Sequence, residues 1–139
     1  MKIVLISFFL PLTVHAINLR CNADLSSAAT PLLVTKLQKN ITNFRTPQYW
    51  SSEISGTDFI FTVKTGLTRD IIDENEDIPT YVGEPSLRSL VVYNRNRSHI
   101  SRFDVPELDT QNVINLTVGS QEKGKEFRIH VFCQLETKP

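Results

Sequence analysis

The chain is poor in the residues that usually announce chemistry: two cysteines, three histidines, five glycines and one tryptophan in 139 positions. Two cysteines outside any Cys-x-x-Cys setting exclude a cysteine-built zinc centre and a dithiol redox site. The scattered glycines form neither a phosphate-cradling loop nor a Gly-x-Ser-x-Gly elbow. Charge of one sign is lacking too, since 15 basic residues face 15 acidic ones. A neutral chain has no bulk field to gather a polyanion, so nucleic-acid binding must rest on a local patch. After residue 16 no apolar run approaches the roughly 20 residues that a membrane-spanning helix needs. What is left is the composition of one ordinary domain.

The first 16 residues read differently from the rest. Lys2 is followed by an apolar run from Ile3 to Leu12, and Val14-His15-Ala16 has the small-residue pattern of a cleavage site. Residues 1–16 are therefore expected to be a secretory signal, and residues 17–139 the mature domain, formal charge −1 once Lys2 is removed. In an oxidising compartment Cys21 and Cys133 become natural partners. The single bridge would close nearly the whole mature chain. Asn40-Ile41-Thr42, Asn96-Arg97-Ser98 and Asn115-Leu116-Thr117 are acceptor patterns for N-linked glycans. The first and third fall on segments assigned partly to the core.

Leu33, Leu37, Ile41 and Phe44 recur at helical spacing behind Thr30-Pro31, an N-cap and first-turn pair, which predicts one helix over Leu25 to Phe44. From Pro47 onward the period is two. Strands are expected around Phe59–Val63, Leu90–Tyr93, His99–Val105, Val113–Val118 and Phe127–Cys133, with another at Ile78–Val82. The expected fold class is α+β, a single N-terminal helix packed on an antiparallel β-sheet, with Cys133 on the inward face of the last strand.

The order of an early cysteine, a helix, Asp77-Ile78-Pro79, Val91-Val92-Tyr93-Asn94 and a late cysteine resembles the small fungal guanyl-preferring ribonucleases. With the signal and single cysteine pair, it is similar more closely to the RNase-like secreted effectors of powdery mildew fungi (Blumeria). That resemblance implies a microbial ribonuclease-like scaffold. It also implies delivery into the cytoplasm or nucleus of plant cells, binding to host proteins, and recognition as an avirulence factor by an intracellular NLR immune receptor. Its catalytic positions would fall at Thr46, Gln48, Asp77, Leu90 and Val105. Apart from Asp77, none of these carries a group able to supply charge or exchange a proton near neutral pH. The expected protein is a pseudoenzyme, a monomer without cofactor; the alternatives are a weakly active ribonuclease using Asp77 with His99 or His130, and an unrelated extracellular β-sandwich adhesion module without the helix.

Arg88, Tyr93, Arg95, Arg97, His99 and Arg102 form an acid-free, aromatic-bearing stretch, the candidate partner-binding residues. Arginine and tyrosine anchor protein interfaces, and the same pair of residue types can hold RNA, the alternative partner. Arg88, two residues before Leu90, is expected on the same strand face. Asp73 to Glu84 imitates part of a calcium loop, but Ile78 stands where the turn needs glycine, so no metal site is expected. His130 is expected on the face opposite Cys133.

Overall fold

The computed structural model describes residues 16–27, 30–71, 75, 80–96, 100–104, 113–122 and 125–137. Eight strands account for nearly all of them: β1 (Ile17–Ser27), β2 (Thr30–Ile41), β3 (Gln48–Glu53), β4 (Phe59–Ile71), β5 (Thr80–Asn94), β6 (Ile100–Asp104), β7 (Val113–Glu122) and β8 (Lys125–Thr137). They form two four-stranded antiparallel sheets, β2-β1-β8-β7 (sheet A) and β3-β4-β5-β6 (sheet B). Every hydrogen-bonded neighbour is a chain neighbour except β1 and β8, which join the two ends. The topology is an eight-stranded meander, opened between β2 and β3 and between β6 and β7 into a sandwich.

No helix occurs among the described residues, so the α+β expectation is overturned: the fold is all-β. The helix expected over Leu25 to Phe44 is the end of β1, the whole of β2 and the crossover to β3. The reason lies in the spacing. Leu33, Leu37 and Ile41 are four apart, and four is a multiple of the strand period as well as close to the helical one. In β2 they share the inward face with Thr35 and Lys39, each opposite an inward residue of β1. β1 itself alternates cleanly, with Leu19, Cys21, Ala23 and Leu25 buried between Asn18, Arg20, Asn22 and Asp24. Its two-residue period outweighs the Thr-Pro helix-start signal, and a ribonuclease-like scaffold with a helix across a sheet is excluded with it.

The strand expectations elsewhere match the fold: β4, β5, β7 and β8 cover Phe59–Val63, Leu90–Tyr93, Val113–Val118 and Phe127–Cys133, and of His99–Val105 β6 takes 100–104, the two end residues lying outside the described residues. Of the segment Ile78–Val82, β5 takes 80–82 and the rest lies outside the described residues.

Cys21 and Cys133 are bonded to each other. They sit opposite one another on β1 and β8, both fully buried, so the bridge ties the first strand to the last within sheet A. The core lies between the sheets: Leu19, Ile129 and Val131 from sheet A meet Phe59, Phe61, Val63, Leu87, Leu90 and Val92 from sheet B. Phe127 meets Phe59 edge to face with ring centroids 5.7 Å apart.

The β2–β3 seam has a visible cause. Lys39 points inward from edge strand β2, and its ammonium lies 5.7 Å from the ring centre of Trp50 on edge strand β3. An inward charge on an edge strand opposes closure of the ladder, and the indole face compensates it. Trp50 Nε1 donates to Thr65 Oγ1 (3.4 Å), satisfying the other polar part of the pair. Nearby, Ser55 N donates to Thr35 Oγ1 (2.9 Å), stitching the β3–β4 turn to sheet A. Gly56 holds φ +80° in that turn, under Leu33.

Candidate protein-binding face

Antiparallel register fixes which side chains share the outer face of sheet B. Glu53, Ile60, Tyr93 and Ile100 form one row across all four strands. Ser51, Thr62, Val91 and Arg102 form the next, and Tyr49, Lys64, Ser89 and Asp104 a third. The first row is apolar through its centre, and Ile100 is 59% exposed. Val91, beside Tyr93 on the same face, is half-buried. An outer sheet face usually carries polar residues, so an apolar row at its centre needs a reason.

Charges frame that row in pairs. Arg95 Nη2 meets Glu53 Oε1 at 2.5 Å, Arg102 Nε meets Asp104 Oδ2 at 2.7 Å, and Lys64 Nζ lies 5.8 Å from the centre of the Tyr49 ring. Tyr49 is 65% exposed. An apolar centre inside a polar, charge-balanced rim is the layout of a protein interface. The backbone supports the tip: Arg95 N donates to Asp58 O (2.9 Å), binding the β5–β6 turn to the β3–β4 turn.

Of the six residues expected to bind a partner, Tyr93, Arg95 and Arg102 come together here. Arg97 and His99 lie outside the described residues. Arg88 does not join them. Lys64 pairs with Ser89 but Thr65 with Leu87, so Arg88 is the extra residue of a β-bulge, and Leu87 and Leu90 both turn inward. The expectation that Arg88 shares the face of Leu90 therefore fails by that one residue. Its guanidinium donates to the Thr68 carbonyl instead, and its stem covers Gly66.

The positions matched to ribonuclease chemistry do not assemble. Leu90 is sealed in the core between Val63 and Phe103, Thr46 is exposed in the β2–β3 crossover, and Gln48 starts β3. Asp77 and Val105 lie outside the described residues. Among the described residues no cluster of three His, Cys, Asp or Glu side chains could hold a metal. His130 faces outward from sheet A, as its alternation with Cys133 requires.

Sequence reasoning missed Ile60, Val91 and Ile100 as contact residues of an outer face. The signal was present: Phe59-Ile60-Phe61 and Leu90-Val91-Val92-Tyr93 are continuous apolar runs, which in a sheet mean two apolar faces rather than one.

At the end of the sandwich where β1 begins and β2 ends, a recess of about 340 Å³ is lined by Ile17, Ile41, Phe44, Leu67 and Pro85, with Thr42, Asn43, Arg45 and Gly83. It offers one cation and no carboxylate, so it has no acid–base pair for catalysis.

No family model, no curated protein and no solved structure matches this chain.

Proposed function

We propose that this chain is a secreted, non-enzymatic β-sandwich module that docks a protein partner on the outer face of sheet B. The observation that carries the reading is the outward apolar row Ile60–Tyr93–Ile100, half-buried at Ile60 and Tyr93 and exposed at Ile100, framed by the Glu53–Arg95 and Arg102–Asp104 pairs. A buried bridge between the terminal strands is compatible with an extracellular location, and residues 1–16 supply the expected leader. Protein is favoured over RNA because Arg95 and Arg102 are each neutralised by a carboxylate, while Arg88 is engaged with backbone. Phosphate binding needs cations that are not already paired. The partner is a folded protein met outside the producing cell. Entry into plant cells and recognition by an NLR receptor came with the ribonuclease-like resemblance, and its helix is missing from this fold.

A photo-reactive residue placed at Ile100, and another at Gln38 on the outer face of sheet A, tests the reading. The same partner protein should cross-link from position 100 and not from position 38. Cross-linking from position 38 alone, or salt-sensitive RNA retention in place of protein, would overturn it.

A further inference from the structure

The outer face of sheet A is built differently, and it carries two acceptor asparagines, one on each edge strand. Asn40 lies on edge strand β2 and Asn115 on edge strand β7. Both point outward, because their neighbours Ile41 and Ile114 are buried, and Thr42 and Thr117 are exposed as well. The conflict with the core expected from sequence does not arise: only the central residue of each tripeptide turns inward.

We propose that Asn40 and Asn115 carry N-linked glycans on the outer face of sheet A; the third acceptor, Asn96, sits in the exposed turn at the end of β5, outside that face. The inference rests on the secretion reading above. The modification joins Asn Nδ2 to the anomeric carbon of a lipid-linked oligosaccharide. One amide proton is lost and the lipid pyrophosphate leaves.

The surroundings of Asn115 favour that product. Its Oδ1 is bound to His130 Nε2 at 3.1 Å, which orients the amide through the atom that glycosylation leaves unchanged and frees Nδ2 to carry the sugar. Directly across the ladder stands Phe132, a half-buried phenyl ring on a face otherwise rich in amides and charges. The C–H-lined face of a first sugar laid over that ring removes apolar surface from water. Two bulky glycans on β2 and β7 also screen both edges of sheet A, the sites where an unpaired strand would recruit another chain.

The test expresses residues 17–139 behind a well-characterised signal in a glycosylating eukaryotic host, so that entry into the secretory pathway is assured. A parallel arm with residues 1–16 in place reports on the native leader alone. Peptide-N-glycosidase should lower the mass of the secreted protein, and Asn40→Gln and Asn115→Gln should each remove one step of that shift. Secreted protein whose mass is unchanged by both substitutions would overturn the proposal, whatever the native-leader arm shows. Phe132→Thr should lower the thermal midpoint more in the glycosylated protein than in Asn115→Gln. Equal losses in the two backgrounds would overturn the sugar–ring contact.

Discussion

Across sheet A, Asn22 faces Phe132 and Asp24 faces His130; across sheet B, Ile60 faces Tyr93 and Tyr93 faces Ile100. The two sheets share one core and equal strand numbers, yet their outer faces differ: sheet A sets Val34, Val113 and Phe132 apart among amides and charges, whereas sheet B runs an apolar row through its centre. Sheet A holds the disulfide, the terminal strands and a face of amides and charges. Sheet B holds no cysteine, and its face is apolar at the centre. Covalent closure is thus concentrated in one sheet and the proposed docking face in the other. A cross-linked scaffold on one side lets the opposite face vary without loss of the fold.

The largest effect should come from opening sheet A. Replacing Cys21 and Cys133 together with alanine removes a bridge spanning 112 residues of sequence. The chain-entropy model assigns about 4–5 kcal/mol to such a loop, about a third or more of a small domain's stability. Denaturant unfolding should show it as a lower midpoint. Phe61→Ala in sheet B should cost about 3–5 kcal/mol by cavity formation alone, with Phe61 fully buried. Comparable losses from the two substitutions would show that one core serves both sheets.

Gly83→Ala should cost less, about 1–3 kcal/mol, because Gly83 holds φ +101° and an added Cβ would run into Thr68 Oγ1. The loss should appear as faster hydrogen exchange in the outer parts of β4 and β5, with the Phe59–Val63 region still protected.

On the outer face of sheet B the expectation reverses. Tyr93→Ser should leave the unfolding midpoint within about 1 kcal/mol of wild type while weakening partner binding by about 2 kcal/mol, more than tenfold. The smallest effect belongs to the Glu53–Arg95 pair. It is solvent-exposed, so a double-mutant cycle on stability should give below about 0.5 kcal/mol.

Strands β4 to β8, the bridge and the inward face of Cys133 were legible because apolar residues recur at every second, inward position of β4 and β8 and only two cysteines exist. β2 was not legible as a strand. Its apolar residues sit four apart, with polar Thr35 and Lys39 in the inward positions between them, so the pattern suits a helix until β1 supplies a partner. The error spread: a helix invited a ribonuclease-like reading, and that reading assigned Leu90, a core residue, to a catalytic position. The bulge at Arg88 was hidden for another reason. A single inserted residue leaves no mark in the composition of a strand and shows only when the partner's register is known. Tyr93, Arg95 and Arg102 were found because arginine and tyrosine stand out in a hairpin, while Ile60 and Ile100 carry no charge or polar group to mark them as contact residues.

The division of labour between the faces is tested most directly by one affinity comparison, made with the partner cross-linked from position 100. Tyr93→Ser on sheet B should raise the Kd more than tenfold, and Gln38→Ser on sheet A should leave it within twofold. Equal affinities for the two variants, or a loss confined to Gln38→Ser, would contradict the account.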